Sequence, residues 1–263
     1  MERFFNTAGP QTPQAYTIDP LTRIDLDDVL TLIRQQRYFV VHAPRQTGKT
    51  SCLLALRDYL NAEGDYIAVY ANVEGGQSGR NNVKSVVKST VDTLAREVRL
   101  VLRDNSLERL KEDVKDIGAE SMLSEYLTRL SEQLPKPLVM MIDEIDALVG
   151  DSLVSVLRQM RSGYANRPRS FPQSIILCGV RDVCDYRIVL SNQDIITGGS
   201  AFNIKTESLH FGNFTKEEIH QLSGTVMGGA HLASAIRLRR APHHGVGNVI
   251  SIICYGHLYQ YWQ

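Results

Sequence analysis

Cysteine is scarce, with four in 263 residues. Cys52, Cys178, Cys184 and Cys254 make neither a Cys-x-x-Cys pair nor a dense framework. That spacing argues against a disulfide scaffold and a zinc finger, and it predicts reduced thiols in the cytoplasm. A net charge of either sign is also missing, because Lys plus Arg and Asp plus Glu are both 29. No global field therefore draws the chain to nucleic acid or to an acidic bilayer. Long apolar runs are absent too. Met1-Glu2-Arg3-Phe4-Phe5 lacks the apolar core of a secretory signal, and the apolar stretch 249–254 is far below the ~20 residues that cross a membrane. The expectation is a cytoplasmic protein without a membrane partner. Internal repeats and low-complexity tracts are lacking as well.

What is present is alternation. Residues 1–23, rich in Pro, Thr and Gln, read as an extended N-terminal arm. Leu26, Val29, Leu30 and Ile33 then carry a helical period, with Asp25, Asp27 and Asp28 near its start, where the helix dipole favours anions. Strand-forming runs follow at 38–42, 66–70, 138–142 and 174–178, with a fifth around 207–211. Between them, 83–103, 106–115, 121–134 and 152–161 carry helical spacing. The run Leu138-Val139-Met140-Met141-Ile142 is apolar throughout, as a parallel strand buried on both faces should be. Strands alternating with helices predict an α/β fold with a helix-covered parallel sheet. The core should span 24–212. Residues 213–263 show Arg237-Leu238-Arg239-Arg240 and Pro242-His243-His244-Gly245 without amphipathic period, and read as a partial lid or a poorly ordered segment.

One loop carries the chemistry. Ala43-Pro44-Arg45-Gln46-Thr47-Gly48-Lys49-Thr50 follows the first core strand and opens a helix. It fits the phosphate-binding pattern G-x-x-x-x-G-K-[ST], with Ala43 in the first position. In such a loop successive backbone N–H groups and a helix N-terminus cradle phosphates. Lys49 supplies a point charge to the β- and γ-phosphates, and the Thr50 hydroxyl addresses magnesium. The candidate nucleotide-binding residues are Ala43, Pro44, Arg45, Gln46, Thr47, Gly48, Lys49, Thr50 and Ser51. Solvated roles for Arg45 and Gln46 fit equally well.

A second acidic element completes the pattern. Asp143 and Glu144 end the apolar third strand, with Asp146 close behind. Asp143 is placed to hold Mg2+ together with Thr50, and Glu144 to polarise an attacking water. This is the Walker B arrangement. One strand and several helices separate Lys49 from Asp143, so the two site strands are neighbours only across an inserted fourth strand. The implied order is 5-1-4-3-2. The C-terminal end of the fourth strand then faces the γ-phosphate, and Arg181 becomes the candidate sensor and third catalytic residue beside Lys49 and Glu144. A surface arginine paired with Asp182 or Asp185 is the alternative.

Taken together, these blocks resemble the bacterial AAA-like ATPases related to archaeal ATPases and the signal-transduction (STAND) NTPases. The resemblance rests on Tyr38 to Thr50, Asn72-Val73-Glu74, Asp143-Glu144-Ile145-Asp146, Gly179-Val180-Arg181-Asp182-Val183, Asp185-Tyr186-Arg187 and Phe202-Asn203-Ile204-Lys205. It covers about residues 3–222. It implies a three-layer P-loop NTPase core with a helical lid behind it, and the short segment after Gln221 leaves room only for a truncated lid.

The expected function is an ATP-binding, Mg2+-dependent ATPase acting as a switch or motor. Non-hydrolysing nucleotide binding and small-molecule phosphoryl transfer are the alternatives. The absence of an Asn-Lys-x-Asp guanine-reading motif favours ATP over GTP. A homo-oligomer or a client protein is the expected kind of partner. Nucleic acid rests on fold-level analogy and the Arg237–Arg240 cluster alone.

Overall fold

The apolar runs become a parallel sheet because each can bury both faces. The computed structural model describes residues 18–44, 47–180, 182, 187–190, 195–197, 202, 205–210, 239–240, 249–254 and 257–262. The strands β1 (Tyr38–His42), β2 (Ile67–Asn72), β3 (Leu138–Asp143) and β4 (Ser174–Gly179) match the expected runs closely. A short antiparallel pair, β5 (Arg187–Val189) and β6 (Ile195–Thr197), precedes β7 (Lys205–His210). The main sheet runs β2-β3-β4-β1-β7, all parallel. Counting only its own strands in chain order, this is 5-1-4-3-2 read from the other edge. The β5–β6 pair was not foreseen, since three-residue strands carry too little pattern.

Helices cover both faces. α1 (Leu26–Arg34) and α2 (Lys49–Glu63) flank the β1 side of the sheet sequence. α3 (Val83–Leu102), α4 (Asn105–Val114), α5 (Met122–Gln133) and α6 (Gly150–Ser162) follow β2 and β3. Val87, Leu94 and Val98 of α3, Leu127 of α5 and Leu157 of α6 join Val40, Val69, Met140 and Leu177 of the strands in one buried cluster. The alternate residues Phe39, Met141 and Ile176 are equally buried on the other face, as the pleat requires. The result is three layers.

Local chemistry sets the ends of these elements. Asp25, Asn82 and Asp104 cap α1, α3 and α4 through their side chains. Ser121 does not cap α5. Gln159, on α6 and almost fully buried, does so instead. Its Oε1 accepts from the N–H of Leu123 at 2.8 Å and of Ser124 at 3.3 Å. Its Nε2 donates to Ala119 O at 2.8 Å and Ser155 Oγ at 2.9 Å. The edge strand β2 is blunted in a similar way. Asn61 of α2 donates to Ala68 O at 2.8 Å and accepts from Ala68 N–H at 3.0 Å, standing in for a neighbouring strand.

The chain divides into two compact units, 24–211 and 1–23 with 212–263. In the second unit the described elements are a 3-10 turn, Pro20–Arg23, and an antiparallel sheet ordered β10-β9-β8. Its strands are β8 (Arg239–Arg240), β9 (Val249–Cys254) and β10 (His257–Trp262). Of the segment 213–263, expected to be a partial lid or poorly ordered, only 239–240, 249–254 and 257–262 are among the described residues, and these are strands. In the register Val249, Ile250 and Ile252 pair with Trp262, Tyr261 and Tyr259, β-branched and aromatic residue types that favour a strand over a helix.

Replacing Gln159 by Leu keeps the volume and removes the cap. The Leu123 N–H is then buried without a partner, at a cost of about 1–3 kcal/mol. Urea unfolding should show a lower midpoint with an unchanged slope.

Candidate functional site

The phosphate-loop residues meet the acidic strand end at the C-terminal edge of the sheet. Ala43 is fully buried and its N–H donates to Gly179 O at 3.3 Å, tying the loop to β4. Gly48 has φ of 90°, in the left-handed region that a side chain disfavours, and it stands at the N-cap of α2 without any side-chain cap. A helix start of that kind suits an anion, because N–H groups and the dipole point out of it.

Lys49 opens α2 and is only 8% exposed. Its Nζ donates to Ala43 O at 2.8 Å and to Pro44 O at 2.9 Å. Thr47 Oγ1 donates to Pro44 O at 2.9 Å, closing the loop further. Both lysine acceptors are neutral carbonyls. A buried ammonium held that way lacks a direct counter-charge, which fits a loop made for phosphate. Ser51 follows in the first turn of α2. Arg45 and Gln46 lie outside the described residues.

Asp143 is 1% exposed and sits at the hub. Its Oδ2 accepts from Thr50 Oγ1 at 2.7 Å and from the Tyr70 hydroxyl at 2.9 Å. Its Oδ1 accepts from the N–H of Glu144 at 2.9 Å. The Cys178 thiol is hydrogen bonded to the same carboxylate, and burial, with the carboxylate beside it, pushes that thiol well above its ordinary range. It therefore stays protonated and serves as a donor. Burial likewise raises the Tyr70 phenol, and the Asp143 charge adds to this.

The sheet register explains the gathering. Asn72 of β2 is paired with Asp143, and Ile142 with Leu177, so Cys178 stands level with Asp143. Tyr70 lies two residues before Asn72 on the same face and reaches along it to the carboxylate.

Glu144 follows with φ of 56°, left-handed and unusual for a side chain of this kind. Burial raises its carboxyl above the ordinary glutamate value, and the charges of Asp143 and Asp146 raise it further, while Lys49 opposes them. Asp146 Oδ2 accepts from Val180 N–H at 3.3 Å, joining the acidic turn to the end of β4. Arg181, the next residue, lies outside the described residues.

The donor set fits a magnesium nucleotide. Thr50 and Asp143 bring two hard oxygens into contact, the ligand type that magnesium prefers. Among the described residues no cluster of three or more His, Cys, Asp or Glu could hold a metal by itself. Magnesium needs no such cluster, because it keeps waters and binds through one or two carboxylates plus phosphates.

Tyr70 and Cys178 were missed in the sequence, where each is one more member of a strand. Only the register shows that both point at Asp143. Arg167 is engaged internally. Its guanidinium lies 3.3 Å from the centroid of the Tyr164 ring and 5.1 Å from that of Tyr38. A 610 Å³ cleft lined in part by Arg57, Asn61, Glu97, Leu100 and Lys136 lies at the other end of β2. Its Arg57 is paired with Asp58 at 2.7 Å. No described helix is long and apolar enough to cross a membrane.

A family model described as "AAA domain" matches residues 33–186. No curated protein matches the sequence. Among solved structures the chain is similar to Cdc6p from Pyrobaculum aerophilum, at 15% identity and a TM-score of 0.50, over 83% of this chain and 52% of that one. It is also similar to the Drosophila ORC bound to poly(dA/dT) DNA and Cdc6, at 11% identity and 0.45, over 82% and 32%. For C. elegans PCH-2 the values are 16% and 0.40, over 83% and 49%. The first likeness shows the fold. The chain spans about half the length of that structure, or less in the other two.

Glu144 gives a pH prediction. A carboxyl raised in the folded state favours its protonated form there, so ionising it costs stability. The cost is absent below the unfolded glutamate value and grows as pH rises through the folded one. Glu144→Gln should therefore melt higher than wild type at neutral pH, and the gap should close as the solution is acidified into the carboxylate range.

Proposed function

The chain belongs to the AAA domain family, and from that premise we propose that residues 24–211 bind ATP with Mg2+ and hydrolyse it, as a switch or motor module. The observation that carries this reading is the Thr50–Asp143 hydrogen bond of 2.7 Å, which joins the phosphate loop to the acidic strand end. Lys49 holds the β- and γ-phosphates, exchanging two neutral carbonyls for charged oxygens. Ala43, Pro44, Thr47, Gly48 and Ser51 shape the cradle, and Arg45 and Gln46 belong to the same loop. Thr50 and Asp143 hold the metal. When bound, Mg2+ neutralises charge on the phosphates.

Glu144 is the general base. Its carboxylate takes a proton from a water whose oxygen forms a bond to the γ-phosphorus, as the bond from that phosphorus to the ADP oxygen breaks. The raised carboxyl brings this base closer to neutral pH, where a base works best. Arg181 is the sensor at the end of β4, by its place in the chain. A small-molecule kinase fits less well, since the Asp143-Glu144 pair suits activation of water. The first structural likeness, at 15% identity, names no client.

Phosphate release from Mg·ATP tests the proposal. Lys49→Ala should lose nucleotide binding by tenfold or more. Glu144→Gln should keep binding and lose turnover by about 10²–10⁴-fold. Wild-type binding without turnover would favour the non-hydrolysing alternative, and absence of binding would overturn the assignment.

A further inference from the structure

Three hydroxyl and carboxylate oxygens from three elements meet where the metal is proposed to bind. Thr50 comes from α2, Asp143 from β3 and Tyr70 from β2. Thr50 and Asp143 are motif positions. Tyr70 belongs to neither motif, yet its hydroxyl donates to Asp143 Oδ2 at 2.9 Å, the same oxygen that accepts from Thr50.

We propose that Tyr70 is a positioning residue that holds Asp143 and Thr50 in the arrangement required for Mg2+, and so sets how tightly the site takes the metal. This inference rests on the nucleotide reading above and deepens it. Asp143 has two torsions and could swing its carboxylate in the absence of a hold. Its Oδ1 is fixed by the Glu144 N–H at 2.9 Å. Its Oδ2 is fixed by Thr50 and Tyr70. The Thr50 hold belongs to the first turn of α2, which continues directly from the phosphate loop. Tyr70 stands on a strand paired along its length with β3, from Ile67 opposite Leu138 to Asn72 opposite Asp143. Its hydroxyl is therefore placed by the strand hydrogen bonded alongside the one that carries Asp143, and not by the loop. A metal ion then meets an oxygen pair already in place, and the ordering cost has been met in folding.

The role differs from structural packing. Tyr70 is half-buried, and its ring would remain in Tyr70→Phe. Only the hydroxyl is lost, and the Asp143 oxygen keeps its Thr50 donor.

The test is nucleotide binding by purified wild type and Tyr70→Phe, followed with a fluorescent ATP analogue across a Mg2+ series and in EDTA. The melting temperature is read in parallel. The expected result is a roughly tenfold higher Mg2+ concentration for half-maximal binding in Tyr70→Phe, the low end for a hydrogen bond to a charged group. Excess Mg2+ should restore wild-type affinity, and binding in EDTA should be the same in both proteins. Wild type should also give a tyrosine ultraviolet difference signal on adding Mg2+ to the nucleotide complex, and Tyr70→Phe should lack it. An unchanged Mg2+ dependence, or an equal loss of affinity with Mg2+ and with EDTA, overturns the assignment of Tyr70 alone. Absence of Mg2+-dependent binding in wild type overturns the nucleotide site, and this inference with it. If Tyr70→Phe melts far below wild type, the wild-type difference signal decides. Its presence supports the inference, and its absence overturns it.

Discussion

The fold's most consequential interaction is the hydrogen bond from Thr50 to Asp143. It joins residues 93 positions apart in the chain. A carboxylate that is 1% exposed must be hydrogen bonded, or its burial would cost several kcal/mol. Asp143 meets that demand through a helix, a neighbouring strand, the thiol of a second strand and the backbone of Glu144. None of these donors is a cation. The groups that hold it are neutral hydroxyl, thiol and amide donors.

The sheet order makes that arrangement possible. β4 lies between β1 and β3, so the loop after β1 and the acids after β3 flank the end of β4. Ala43 N–H binds Gly179 O, and Asp146 accepts from Val180 N–H, so both sides grip the same strand end. Any change at the tip of β4 is therefore felt at the loop and at the acidic turn together. The left-handed Glu144 and Gly48 stand on either side, where the chain has to turn sharply. For Gly48 the conformation is free of steric cost. For Glu144 it is a local strain, of the kind that gathers at working sites.

Much of this was legible in the sequence. Four strands and most helices follow from apolar period, and Lys49, Thr50, Asp143 and Glu144 from two motifs in the right chain order. The strand order followed from a topological argument, since Lys49 and Asp143 must converge across an inserted strand. What stayed hidden depends on register or on single long-range contacts. Tyr70 and Cys178 look like ordinary strand members until the pairing of β2, β3 and β4 is known. Gln159 looks like a polar residue on a helix, and its capping of α5 involves residues far away in the chain. Residues 249–262 lacked a helical period, and their β-branched and aromatic content is what the strands β9 and β10 express.

The central claim is that the buried Asp143 carboxylate and the Thr50 hydroxyl form a place for magnesium beside a phosphate loop. Calorimetric titration of ATP into wild type and Asp143→Asn, each with Mg2+ and with EDTA, tests it most directly. The amide keeps the shape and removes the charge. The account predicts that Mg2+ strengthens ATP binding to wild type by tenfold or more, and that Asp143→Asn loses most of this gain while its binding in EDTA is undiminished. Equal ATP affinity with and without Mg2+ in wild type, or a full Mg2+ effect in Asp143→Asn, would contradict it.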